Sequence, residues 1–188
     1  MDILNTTLVI LLVGFFSPKE RDIAASNYIE NHKELAVIEM YRTGIPASIT
    51  MAQALHESNY GKSKLAVVAN NHFGIKCKSY WKGITYFHKD DDFDDAGNLT
   101  DSCFRAYENV FDSYIDHSHF LTNTPHYQNL FQISSKDYEQ WALGLQASGY
   151  ATDPNYAKKL INIIHRYQLQ QLDFEEDPFI HLKKIDNN

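Results

Sequence analysis

At 188 residues the chain has the size of one domain with modest terminal extensions. Its 44% hydrophobic and 22% charged content excludes a wholly disordered, collagen-like or polytopic membrane chain. A formal charge of −7, from 17 Lys and Arg against 24 Asp and Glu, offers no electrostatic footprint for a phosphate backbone and argues against nucleic acid as a partner.

Residues Leu8 to Phe16 form a nine-residue apolar run, suited to a signal h-region and far short of the ~20 residues of a spanning helix. No membrane span is expected. Met1 to Thr7 holds Asp2 and no Lys or Arg, and the nearest small-residue site, Ala24-Ala25-Ser26, lies beyond the charged Lys19 to Asp22. The expectation for residues 1–21 is an atypical export or anchoring segment, with a short structural helix as the alternative.

From about Asp22 to Tyr41, Ile29, Ala36, Val37 and Met40 recur on one helical face, and Gly44 stops the segment. After Pro46, Ala47, Met51, Ala54, Leu55 and Ser58 repeat at helical spacing until Gly61. The run Asn70-Asn71-His72-Phe73-Gly74 favours a turn. Stretches Ile75 to Cys77, Ile84 to His88 and Cys103 to Tyr107 then favour strands, interrupted at Gly83 and at Ala96-Gly97-Asn98. Helical spacing returns in Val110 to Leu121, Tyr138 to Leu145 and Tyr156 to Tyr167, with Asp153-Pro154 reading as N-cap and first position of the last helix. Residues 173–188 read as a polar, frayed tail. The expected fold is α+β: mostly helical, with a small antiparallel β-lobe.

On a helical wheel of about 100° per residue, Glu57 and Gln53 lie together beside the apolar stripe of the second helix. A carboxyl at that flank, one turn from the helix end, is suited to a cleft wall, where burial raises its pKa and makes it a general acid. A second acidic feature, Asp90-Asp91-Asp92-Phe93-Asp94-Asp95, lies in the β-region and would supply a carboxylate from across a cleft, the pairing that glycoside cleavage commonly uses. An EF-hand reading fails, because position 6 is Asp95 instead of Gly and position 12 is Asp101 instead of Glu. Nine histidines include no His-Glu-x-x-His, and there is no Gly-x-Ser-x-Gly or phosphate-binding Gly-rich loop. No metal and no organic cofactor is expected. Two cysteines, Cys77 and Cys103, leave room for one bridge.

The stretch GIPASITMAQALHESNYGKSKLA, from Gly44 to Ala66, resembles the N-acetylglucosaminidase family that cuts bacterial peptidoglycan, glycoside hydrolase family 73. Asn70 to Lys76 resembles that family's second block, Cys103 to Tyr107 its third, and Ser148 to Ala157 its Tyr-Ala-Thr-Asp block. The four blocks stand in family order and cover about Ala24 to Leu172, so residues 22–172 are expected to be the catalytic domain. The Cys77/Cys103 pair and the run His88 to Asp92 most resemble short, exported forms of Bacteroidetes-like bacteria.

The resemblance implies a lysozyme-like fold with Glu57 as general acid in hydrolysis of the β-1,4 bond after N-acetylglucosamine in peptidoglycan glycan strands. Its second acidic residue falls at Asp91, with Asp90 and Asp92 as neighbours; family members usually carry Glu there. It implies that Tyr150 orients substrate or stabilises developing charge. Gln53, Asn71, Phe73, Trp81, Asp90, Asp92 and Tyr156 are the candidate substrate contacts, although Tyr156 opens an apolar stripe that reads as core, Phe73 reads equally as core and Trp81 as a loop anchor. Arg105 is expected to hold the β-lobe by a charge-assisted bond. The other expectations are a periplasmic or cell-envelope location, an oxidised Cys77–Cys103 bridge there, a monomer, an acidic-to-neutral pH optimum and no amidase-type activity. A muramidase, a non-catalytic glycan-binding module and, less in keeping with the short wall-type blocks, a host-glycoprotein endoglycosidase are the alternatives.

Overall fold

The computed structural model describes residues 17–93, 97 and 99–180, with the backbone alone at 18, 90–93 and 99. The apolar run Leu8 to Phe16 and the last eight residues of the polar tail lie outside the described residues.

Helix α1 spans Pro18–Thr43. It begins four residues before the expected start at Asp22, because Ser17 and Glu20 form a reciprocal capping box and Pro18 occupies the first turn. It ends at Gly44, whose φ of 84° places it in the left-handed region that suits glycine.

Helix α2, Ala47–Glu57, is the centre of the molecule. Every residue from Ala47 to Leu55 is buried, so the expected one-sided stripe is in fact a helix wrapped on all sides, against α1, α5, α6 and the C-terminal segment. Pro46 gives its N-terminus no side-chain cap. Asp173 does so from 125 residues away: its Oδ1 accepts from Ser48 N at 2.8 Å and its Oδ2 from Ser48 Oγ at 2.6 Å. The stretch expected to fray thus opens with a buried, docked residue. At the other end, Asn59, Tyr60 and Gly61 turn left-handed, and a Cβ on Gly61 would stand 2.7 Å from the Tyr28 ring.

The short helix α3, Lys64–Ala69, leads to the β-lobe. Strand β1, Thr85–Phe93, pairs antiparallel with β2, Leu99–Arg105, His88 facing Ser102, with the register interrupted between Lys89 and Phe93. The expected strand at Ile75 to Cys77 is only an isolated bridge from Lys76 to Phe104. Beside it a disulfide joins Cys77 to Cys103.

Helix α4 spans Val110–Asn123, α5 Tyr138–Ala147 and α6 Tyr156–Tyr167. The last begins two residues after Pro154, since Asp153 accepts from the backbone N–H groups of Asn155 and Tyr156 and forms a turn of its own. Two 3-10 segments, Pro125–Gln132 and Leu169–Phe174, complete the chain and were not evident from its periodicity. The result is a mostly helical α+β domain with a two-stranded sheet. Among the described residues no helix is long and apolar enough to cross a membrane.

Candidate active site

Glu57 is the last residue of α2 and lies where that helix meets a cleft of about 510 Å³ between the helical body and the β-lobe. Phe73, Ile75, Phe104, Phe120, Tyr127 and Tyr150 line the same cleft, and Lys76, Lys78, His88 and Lys89 stand around its β-lobe side. Burial pushes the Glu57 carboxyl up to about 7, against the opposing pull of a hydrogen bond from Tyr156 and the charge of Lys159. A carboxyl that holds its proton near neutral pH, on the wall of an open cleft, is equipped to deliver that proton to a bound molecule.

Behind Glu57 runs a fixed chain of donors. Gln53 Nε2 donates to Tyr156 Oη at 2.9 Å, and Tyr156 Oη donates to Glu57 Oε1 at 2.9 Å. Gln53 and Tyr156 are 0% and 1% exposed, so both amide and phenol serve Glu57 from the interior and neither presents itself to a ligand. Tyr150, by contrast, lies in the cleft and stacks on Tyr156 with ring centroids 5.4 Å apart and planes at 22°. Its phenol is held well above its ordinary pKa by burial and by the negative charge of Glu57.

Two other expected contacts are also structural in their placement. Asn71 is fully buried: Nδ2 donates to the carbonyls of Ile75 and Arg105, and Oδ1 accepts from the backbone of Phe73 and Ile75. It holds the turn from which Phe73 enters the cleft. Trp81 is outside the cleft lining; its indole N–H donates to Ile84 O, and Arg105 lies 4.6 Å above its ring. Arg105 bonds Asp116 through both carboxylate oxygens at 2.8 Å, tying the β-lobe to α4.

Phe73 is almost wholly buried, with one edge in the cleft, and stacks on His117 at 3.9 Å and 12°. His117 is fully buried, neither ring nitrogen has a partner among the described residues, and burial pulls its pKa down to about 3. It sits edge-on to Tyr150, with centroids 6.4 Å apart, and so backs two cleft residues at once.

Asp90, Asp91 and Asp92 lie on β1, whose residues His88 and Lys89 line the cleft, but their side chains are outside what the structure describes. The strand therefore passes along the cleft. Among the described residues no group of three or more His, Cys, Asp or Glu side chains converges to hold a metal. Sequence reasoning missed Lys76 and Lys78, which flank Cys77, and Tyr127 on the first 3-10 segment. The alternation of Lys76 and Lys78 beside an expected strand was the available signal for the first two.

A family model described as mannosyl-glycoprotein endo-beta-N-acetylglucosaminidase matches residues 33–169. The chain belongs to this glucosaminidase family. Its glucosaminidase relatives include exo-glucosaminidase LytG of Bacillus subtilis, 38% identical over 145 residues, which are 75% of this chain and 50% of LytG. The chain spans about half the length of the curated relatives it matches. Among solved structures it resembles the catalytic domain of the autolysin Auto from Listeria monocytogenes, with a TM-score of 0.68 and 28% identity over 84% of this chain and 98% of that one. The glycoside hydrolase domain of FlgJ from Salmonella typhimurium matches with a TM-score of 0.63 and 25% identity, over 87% of this chain and 99% of that one. The glucosaminidase domain is thus the lysozyme-like α+β fold expected from its sequence blocks.

Proposed function

We propose that this chain hydrolyses the β-1,4 glycosidic bond after N-acetylglucosamine in the glycan strands of bacterial peptidoglycan, with Glu57 as general acid. The observation that carries the reading is the Glu57 carboxyl itself: fixed by Tyr156, on the wall of an open cleft of about 510 Å³, and holding its proton up to about pH 7. Its proton passes to the bridging oxygen as positive charge grows at the anomeric carbon. Tyr150, beside the carboxyl, orients the sugar, and the Phe73 edge offers it an apolar face.

The second half of the reaction falls to Asp91 acting on water, or to the substrate's own 2-acetamido oxygen acting on the anomeric carbon, an accepted exception to the two-carboxylate scheme. Cleavage within strands is the reading that agrees with the endo-acting family description, whereas LytG is named for exo action. A cell-envelope substrate, together with the Cys77–Cys103 disulfide, favours an exported protein in an oxidising compartment.

The test is digestion of purified peptidoglycan by wild type and by Glu57→Gln, borohydride reduction of the products and mass spectrometry of the new reducing ends. Reduced N-acetylglucosamine ends from wild type alone are the expected result. Reduced muramic ends would make the protein a muramidase, and no new ends from wild type would leave a glycan-binding module. Fragment length separates cutting within strands from trimming of their ends.

A further inference from the structure

A second hollow of about 520 Å³ adjoins the cleft and shares two of its walls, Lys78 and Phe120. It lies between the loop after Cys77 and the C-terminal half of α4, and its floor is the Arg105–Asp116 pair. Arg105 and Asp116 offset one another, so the unbalanced charge of its lining is that of Lys78. Asp116, the acidic side chain lining it among the described residues, is already occupied by both Arg105 bonds and by the Tyr107 phenol at 2.6 Å. Arg105 is 3% exposed, its Nη2 donates to Tyr80 Oη at 3.1 Å, and it serves as the neutralised base of the hollow. His119, on the α4 side, shares a hydrogen bond with Arg42 at 3.2 Å, and Lys78, exposed at the junction, carries the positive charge facing both hollows. An uncharged N-acetyl sugar has no use for such a surplus, whereas a carboxylate does.

We propose that this hollow receives the short acidic peptide that branches from the muramic sugar of a strand lying in the cleft. The carboxylates of that peptide meet Lys78 above the paired Arg105–Asp116 floor, so strands with charged peptides are cleaved in preference to the same strands with uncharged ones. This rests on the glycan-cleaving reading above. A branch suits the geometry, because the two hollows meet at Lys78 and Phe120: a strand held beside Glu57 passes these residues, where a side arm leaves it. The chain carries a net −7, so the preference is a local one, set by Lys78 rather than by the protein's overall field.

The experiment compares kcat/KM on three glycan oligomers: one bearing L-alanyl-D-glutamate on each muramic residue, one with both glutamate carboxyls amidated, and one stripped of peptide by an amidase. An exposed ion pair supports a preference of about five-fold for the charged over the amidated oligomer, reduced at high salt. In Lys78→Glu, an exposed position whose unchanged melting temperature would show intact folding, the ratio should fall to about one or below. A wild-type ratio of one, or a ratio untouched by Lys78→Glu, overturns the proposal. So does a stripped oligomer as good as the charged one, since its carboxylate sits on the sugar's own lactyl arm. If wild type cleaves none of the three, the glycan-cleaving reading fails instead. An NMR titration with free muramoyl-L-alanyl-D-glutamate then decides the binding site alone: shifts at residues 78–80 and 119–125 sustain it, and their absence overturns it.

Discussion

Tyr156 donates its phenolic hydrogen to Glu57 Oε1 at 2.9 Å while both side chains lie on the interior side of the cleft, one at the start of α6 and the other at the end of α2. The bond joins the two helices at the point where the acid is aimed. It favours the charged carboxylate, and so acts against the burial that raises the Glu57 pKa. In Tyr156→Phe the carboxyl loses its anchor and the buried Gln53 amide loses its acceptor. The expected outcome is a lower kcat, an alkaline limb of the pH profile moved to higher pH, and a stability loss of about 1 kcal/mol from the orphaned amide. Rate profiles from pH 4 to 9 and urea unfolding check these together; an alkaline limb that stays in place would refute the role assigned to the bond.

Glu57 also weakens the fold above neutrality. Its folded pKa of about 7 lies above the ordinary 4.5, so the stabilising contribution of the protonated form is complete below pH 4.5 and lost as pH rises through 7. Glu57→Gln cannot ionise and escapes that loss. The variant should be more stable than wild type at pH 8 by about 1 to 3 kcal/mol, with a smaller difference at pH 4.5. Thermal melts at the two pH values would show it, and equal melting temperatures at pH 8 would count against the buried acid.

His117 predicts the opposite slope. Its folded pKa is pulled to about 3 from the ordinary 6.5, so the folded protein stays neutral there while the unfolded chain takes up a proton, and stability is lost as pH falls below 6.5. His117→Phe keeps a ring against Phe73 without the unpartnered nitrogens. Its advantage over wild type should grow between pH 7 and pH 4, to as much as about 3 kcal/mol. Chemical denaturation at both values measures the difference, and an advantage that shrinks on acidification would contradict this placement of the imidazole.

The Cys77–Cys103 bridge closes a 26-residue span that contains β1 and the loop bearing Trp81. Loop-closure entropy for that length gives about 3.5 kcal/mol as the upper end of its contribution. Reduction, or Cys77→Ser with Cys103→Ser, should cost about 2 to 3.5 kcal/mol. It should also raise KM more than it lowers kcat, because Lys76 and Lys78 line the cleft on either side of Cys77 while Glu57 belongs to the helical body. Denaturation and steady-state kinetics of the double variant test both points.

Much of this architecture was legible in the sequence because local signals and tertiary burial agree. Pro46 opens α2, the apolar stripe from Tyr156 to Ile164 faces the core along α6, and Glu57 falls at the cleft as its flank position suggested. Where burial is decided by neighbours rather than by period, the reading failed. A helix surrounded on all sides hides its polar face too, which is why Gln53 is interior although the wheel puts it beside Glu57. The Asn71 amide suits an N-acetyl group by its chemistry, but the turn it sits in consumes all four of its bonds. Tyr127 comes from a 3-10 segment, which has no 3.6-residue signature to find.

The cap that Asp173 places on Ser48 has a consequence for how the protein is made. The family-matched stretch ends at residue 169, so this cap on the Glu57-bearing helix comes from beyond it. A chain emerging from the ribosome carries the start of α2 without this cap until 125 further residues have followed Ser48. The helix that ends in Glu57 is thus capped last, after every residue lining the cleft has been made.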